Sequence, residues 1–228
     1  MNSRNIVRLF MTTLIIGGVT AGLAGFVARW DQFAPMFSSF DLGEILSTFV
    51  WMFGVGLIFS VISQAGYFAY LTVHRFGLGI FRSASLWNAV QLVLVIFVLF
   101  DLVYLRFITF AEGEGLGSYL GLAILLLIVG LIVAYFKMKQ TNKQAFIPAL
   151  FFMTVVTILE WVPVLRVNDE SWIYFMLLPL LVCNAYQLLI LNKLIERSQR
   201  ELESKRASKQ KSGKQAIRKG NKQKVKTK

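Results

Sequence analysis

The chain has 228 residues, 56% of them AVILMFWYC and only 16% charged, with a mean hydropathy of +0.62. Soluble domains run nearer ~45–50% apolar and ~25% charged, so a water-soluble globule of this size is excluded. Twenty Phe and five Trp among so few charges also exclude disorder, collagen and coiled coil as the main reading. The net charge of +12 is unevenly placed. Fourteen of the 24 Lys and Arg lie between Lys193 and Lys228 against three Glu, a net +11, which leaves +1 for everything before them. The alkaline balance therefore describes a tail and not a basic cleft. One cysteine, Cys183, excludes an internal disulfide framework, and one histidine, His74, leaves no zinc constellation.

A membrane span needs about 20 mostly apolar residues to cross roughly 30 Å of hydrocarbon. Six such runs follow in chain order: Val7 to Ala28, Glu44 to Val73, Leu86 to Phe107, Ser118 to Phe136, Phe146 to Leu165, and Trp172 to Leu194. The second is long enough to tilt or to extend beyond the lipid at one end. The fold class expected is all-α: a polytopic bundle of six transmembrane helices over residues 1–195, followed by a disordered basic cytoplasmic tail over 196–228. Arg4 and Arg8 before an apolar stretch also suit a signal peptide. The stretch is span-length and five more spans follow, so an uncleaved first helix is the simpler reading.

Orientation follows from the charges between spans, because Lys and Arg near span ends stay on the cytoplasmic side. Arg4 and Arg8, then Arg75 and Arg82, then Lys137, Lys139 and Lys143, then the tail alternate with connections in which Arg29, Arg106 and Arg166 face acids. One side thus collects 21 basic residues and the other three. Both termini are expected on the cytoplasmic face of the bacterial cell (inner) membrane. From Asn192 to about Lys205 the pairs Glu196–Arg200 and Glu201–Lys205 are spaced i,i+4, so the last span should continue as a solvated helix before the tail loses structure.

No HExxH, GxSxG, GxxxxGK[ST] or GxGxxG motif occurs, so no enzyme class, cofactor or metal is indicated. Two carboxylates lie inside spans, Asp101 in the third and Glu160 in the fifth, each about 20 Å across the bilayer counted at 1.5 Å per residue. Ionisable groups in hydrocarbon cost about 2.5–3.5 kcal/mol and mark functional candidates. They read as a proton-linked or ligand-binding pair, or as structural carboxyls neutralised by Arg106 or Arg166. Ser60, Ser63, Gln64 and Tyr67 form a polar stripe on the second span, Asn88 and Gln91 one on the third, and Asn184 and Gln187 one on the sixth. Interhelical hydrogen bonding is their simplest role. Gly17, Ala21 and Gly25 place small residues four apart on the first span, for close contact within the bundle or with another protein's helix. His74, Arg75 and Arg82 bound a cytoplasmic connection that is either a docking surface or a charged stop. Pro179 should kink the sixth span. The tail's lysines suit an anionic membrane surface better than nucleic acid, for which no specific signal exists.

The stretch GLIFSVISQAGYFAYLTVHRFGLGIFRSASLWNAVQLVLVIFVLFDLVYLRF from Gly56 to Phe107 resembles the KinB-signalling pathway activation family, KbaA, of Bacillus-type spore formers. So do KMKQTNKQAFIPALFFMTVVTILEWVPVL from Lys137 to Leu165 and LLVCNAYQLLIL from Leu180 to Leu191. The likeness covers about residues 1–195 and omits the lysine-rich tail. It implies an integral membrane protein required for a membrane-bound sporulation sensor histidine kinase that feeds a phosphorelay, acting by protein–protein interaction. It carries over no catalytic residue. The alternative class is a small transporter or ligand sensor built on Asp101 and Glu160.

Overall fold

Long apolar segments satisfy their backbone hydrogen bonds internally only as helices, and that is how this chain folds. The computed structural model describes the backbone of residues 3–111 and 115–226, and the side chains of these residues other than Ser118 and those beyond Ser204. Glu112 and Glu114, counted above with one charged connection, and the tail side chains from Lys205 onward lie outside the described residues. Among the described residues there is no strand. The helices are α1 (Ser3–Ala28), α2 (Trp30–Ser38), α3 (Leu42–Phe81), α4 (Ala84–Phe110), α5 (Gly117–Gln140), α6 (Phe146–Phe151), α7 (Thr157–Val167) and α8 (Glu170–Lys226). A π-helical turn, Phe152–Val156, joins α6 to α7, and a 3₁₀ turn, Lys143–Ala145, precedes α6.

Six helical segments are long and apolar enough to cross a membrane, and they coincide with the six runs read from sequence. The second is the longest of the apolar runs as expected: α3 has 40 residues, about 60 Å at 1.5 Å each. The fifth is built from the 3₁₀ turn, α6, the π turn and α7 in succession. α2 is an addition that the sequence reading lacks. Its Phe37 packs on Trp30 and, with Phe33, edge-on against Phe26 of α1, so aromatic packing holds nine residues in a helix despite Pro35.

Each corner has a local cause. Asp41 caps α3 and Ser83 caps α4, their side chains accepting the amides of Glu44 and Leu86. Arg82, with φ of 51°, closes α3 in the left-handed conformation, and Asn168, with φ of 55°, does the same for α7. Asp169 accepts from the Ser171 hydroxyl and the Trp172 amide at the start of α8. These bonds, the Ser171 one first, hold its carboxyl below the usual carboxylate range. α8 stays helical through Pro179.

The chain divides into two units, Leu9–Leu189 and a smaller one formed by Met1–Arg8 with Ile190–Lys228. In the smaller unit the Asn5 amide donates to the Ser198 hydroxyl at 2.8 Å, and Arg197 pairs with Glu201 across i,i+4. That ion pair is one residue out of step with the expected Glu196–Arg200, but it belongs to the continued helix that the spacing predicts. Beyond Ser208 the backbone continues as a helix to Lys226. Lys and Gln, the commonest residues there, are good helix formers whatever their polarity.

Within the larger unit the fifth apolar segment is the most buried and α4 the least. Phe152, Met153 and Trp161 are fully buried, whereas Val93, Ile96, Phe97 and Phe100 of α4 are exposed. Apolar side chains inside and outside alike are what lipid-facing helices require.

Candidate functional site

The polar residues of α3, α7 and α8 meet in one buried layer. Asn184 on α8 is its centre. Its Nδ2 donates to Glu160 Oε2 at 2.7 Å and to Thr157 Oγ1 at 2.9 Å, both on α7, while its Oδ1 accepts from Ser63 Oγ of α3 at 2.6 Å. Gln187, one turn along α8, donates to Ser63 Oγ at 2.7 Å. Ser60 reaches α1 by donating to the Thr13 carbonyl at 2.8 Å, and Cys183 lies against the same two groups. Ser60, Ser63, Thr157, Asn184 and Gln187 are completely buried. The i,i+3 and i,i+4 spacings bring these groups onto facing stripes, as helical geometry requires.

Backbone proximity makes the layer possible. A Cβ at Gly66 would run into the Glu160 carboxylate, so α3 must be bare there for that carboxylate to lie between the helices. The small residues of α1 are likewise used internally. A Cβ at Gly17 would meet Ser60 and Cys183, one at Gly25 would meet Met52 and Phe175, and Ala21 is fully buried. Gln64 Oε1, Tyr67 Oη, Glu160 Oε1 and Gln187 Oε1 are buried without a hydrogen-bond partner among the protein atoms.

Asp101 does not join this layer. It lines a separate cavity of about 460 Å³ between α4 and α7, with Arg106, Arg166 and apolar side chains. On α7 the cavity is faced by Ile158, Leu159, Val162, Leu165 and Arg166. At 3.6 residues per turn, Glu160 projects from the opposite side of the helix. The two carboxylates share neither a contact nor a cavity, contrary to their reading as a pair. Arg106 neutralises neither of them: its Nη2 and Nε donate to Asn168 Oδ1 at 2.7 and 3.3 Å.

The residues expected at the connection between the second and third spans form a tight corner. His74 faces inward, its Nδ1 accepting from the Trp87 indole at 3.1 Å, with Gln91 Nε2 at 3.2 Å. An indole N–H only donates, so the neutral ring carries its proton on Nε2. Arg75 and Arg82 are exposed, beside exposed Phe76 and Ile80. Asn88 donates to the Gln144 carbonyl at 3.3 Å, tying α4 to the turn before α6. Sequence reasoning missed Thr157, Gly66 and Lys137. The ammonium of Lys137, counted above as a cytoplasmic charge, is buried and donates to the Leu188 carbonyl at 2.7 Å. Only the i,i+3 spacing of Thr157 and Glu160 could have signalled the first. Among the described residues no three His, Cys, Asp or Glu side chains gather as metal ligands.

A family model described as KinB-signalling pathway activation in sporulation matches residues 17–194. The chain belongs to this family, KbaA. A KbaA relative, the KinB-signaling pathway activation protein of Bacillus subtilis (strain 168), is 52% identical over 194 residues, which is 85% of this chain and 98% of that protein. No solved structure matches. The KbaA match takes in Ser60, Ser63, Thr157, Glu160, Asn184 and Gln187, begins after Thr13, and stops before the basic tail.

Proposed function

We propose that this chain is an integral membrane activator of the KinB pathway that binds the pathway's sensor histidine kinase within the bilayer and performs no catalysis. The even number of apolar helices and the bias of Lys and Arg to alternate connections support a topology with both termini, the tail and the Arg75–Arg82 corner in the cytoplasm, where the lysine-rich tail suits an anionic lipid surface. Family membership supports the pathway. The mode of action rests on one observation above all: the polar and small-residue faces are closed on one another inside the bundle. This supports a role in joining the helices rather than in forming a solute path or a docking face. Among the exposed surfaces left for a partner, we single out the apolar side of α4, the least buried apolar helix, and the exposed Arg75, Phe76, Ile80 and Arg82. Activation is then a population shift, in which the kinase conformer that packs on these surfaces gains interaction free energy over the one that does not.

Photo-crosslinking in living cells tests this. Probes at Phe97, Ile80 and Arg82 are expected to capture the kinase under sporulating conditions, whereas a probe at buried Ala21 captures none. Capture of the kinase from none of the three exposed positions defeats direct contact. A transporter or ligand sensor titrating at Asp101 and Glu160 predicts something different. The double variant Asp101→Asn with Glu160→Gln is expected to insert and to support sporulation within about twofold of the parent, because the introduced side-chain amide keeps an acceptor for Asn184. Loss of signalling by an inserted double variant would favour the titrating site.

A further inference from the structure

The cavity between α4 and α7 has the shape and polarity of a bound amphiphile. Along α4 it runs from Val98 to Phe110, a rise of about 18 Å at 1.5 Å per residue, close to the hydrocarbon depth of one leaflet, about 15 Å. Its deep walls are apolar apart from Asp101, with Val98 and Leu102 on one side and Ile158 and Val162 on the other. Its other end carries Arg106, Thr109 and Arg166. The groups there are not committed to acids: Arg106 uses Nε and Nη2 on Asn168, its guanidinium lies over the Tyr119 ring at 5.3 Å, and its Nη1 has no acceptor. Arg166 is exposed and makes no ion pair among the described residues. Asp101 is five residues inside Arg106, about 7.5 Å deeper, and Glu170 is an acidic neighbour of Arg106 at the start of α8. Two guanidiniums at the mouth against one carboxylate, Asp101, among otherwise apolar deeper walls leave the lining with a net positive charge at its mouth.

We propose that this cavity holds one anionic phospholipid, its phosphate between Arg106 and Arg166 and an acyl chain along the Val98–Leu102 and Ile158–Val162 walls. The site rests on the membrane reading above, though not on kinase binding. Guanidinium forks match the oxygens of a phosphate, and the long apolar wall gives a soluble anion nothing to bury. Asp101 limits how deep a negative headgroup can settle and so weakens the site by repulsion.

The test is lipid retention by the purified full-length protein, by native mass spectrometry with phosphatidylglycerol and phosphatidylcholine offered in equal amounts. Phosphatidylglycerol is expected to be retained preferentially. Arg166→Gln should lower its retention about fivefold, the effect of one nearby cationic residue, and Asp101→Asn should raise it by a similar factor. The basic tail is common to all three proteins and cancels from these ratios. Unchanged retention in both variants, or changes of the same sign, overturns the proposal. So does displacement of the lipid by an equal concentration of glycerol phosphate, which would make the site one for a soluble anion. Membrane fractionation of the same variants separates this from the broader reading: protein that inserts normally but shows no charge-dependent lipid defeats only the lipid site.

Discussion

Replacing Gly56 with valine is expected to be among the most damaging single changes in the bundle. At Gly56, α3 lies so close to α1 that an added Cβ would meet the Ala21 methyl, the Gly17 carbonyl oxygen at 2.7 Å and the Gly18 Cα at 2.9 Å. Two of these are backbone atoms and cannot rotate away, so α1 must back off. The Ser60 bond to the Thr13 carbonyl, one turn along, is then stretched or broken. Overpacking costs about 1–3 kcal/mol and the lost interhelical bond about 0.6 more, which puts the loss near 3 kcal/mol. Gly54 is the matched control, because nothing lies within 4 Å of its added Cβ. Reversible unfolding in mixed micelles should show Gly54→Val within about 0.5 kcal/mol of the parent. Equal tolerance of both substitutions would mean that α1 and α3 do not cross here.

The second large effect is expected from Asn184→Leu. That amide makes three hydrogen bonds to two neighbouring helices, and removing it leaves Ser63 Oγ, Thr157 Oγ1 and Glu160 Oε2 in apolar surroundings. At about 0.6 kcal/mol on average and about 1.7 at most for each interhelical bond, the loss is about 2–5 kcal/mol. Glu160→Gln should be much milder, since one acceptor for Asn184 survives. The same unfolding assay therefore ranks the two. If Asn184→Leu matched the parent, the polar layer would not be what joins α3, α7 and α8.

Much of this is legible in the sequence alone. Six apolar runs become six helical segments because hydrocarbon-length hydropathy is a one-dimensional signal, carried by consecutive residues and independent of what they pack against. The stripes Ser60–Ser63–Gln64–Tyr67 and Asn184–Gln187 are buried together, since helical spacing alone puts them on single faces. Partner choice is not legible. Nothing in the sequence says that Ser63 meets Asn184, that Lys137 lies under a carbonyl, or that the small residues of α1 face α3 and α8 rather than another protein. Asp101 and Glu160 show the limit most plainly. Depth can be counted from a span's end, whereas azimuth depends on every turn in between.

The widened turn at Phe152–Val156 bears directly on that azimuth. A π turn holds one residue more than an α turn, so everything after it is rotated by about 100° relative to an uninterrupted helix. Deleting a single residue there, with each functional side chain kept, would reset the phase of α7. Thr157 and Glu160 would swing off the Asn184 side, and the face that now borders Asp101 would turn with them. The wheel position of the carboxylate is thus set by an insertion in the main chain upstream of it, and a length change of one within this segment should be harder to accommodate than most substitutions in it.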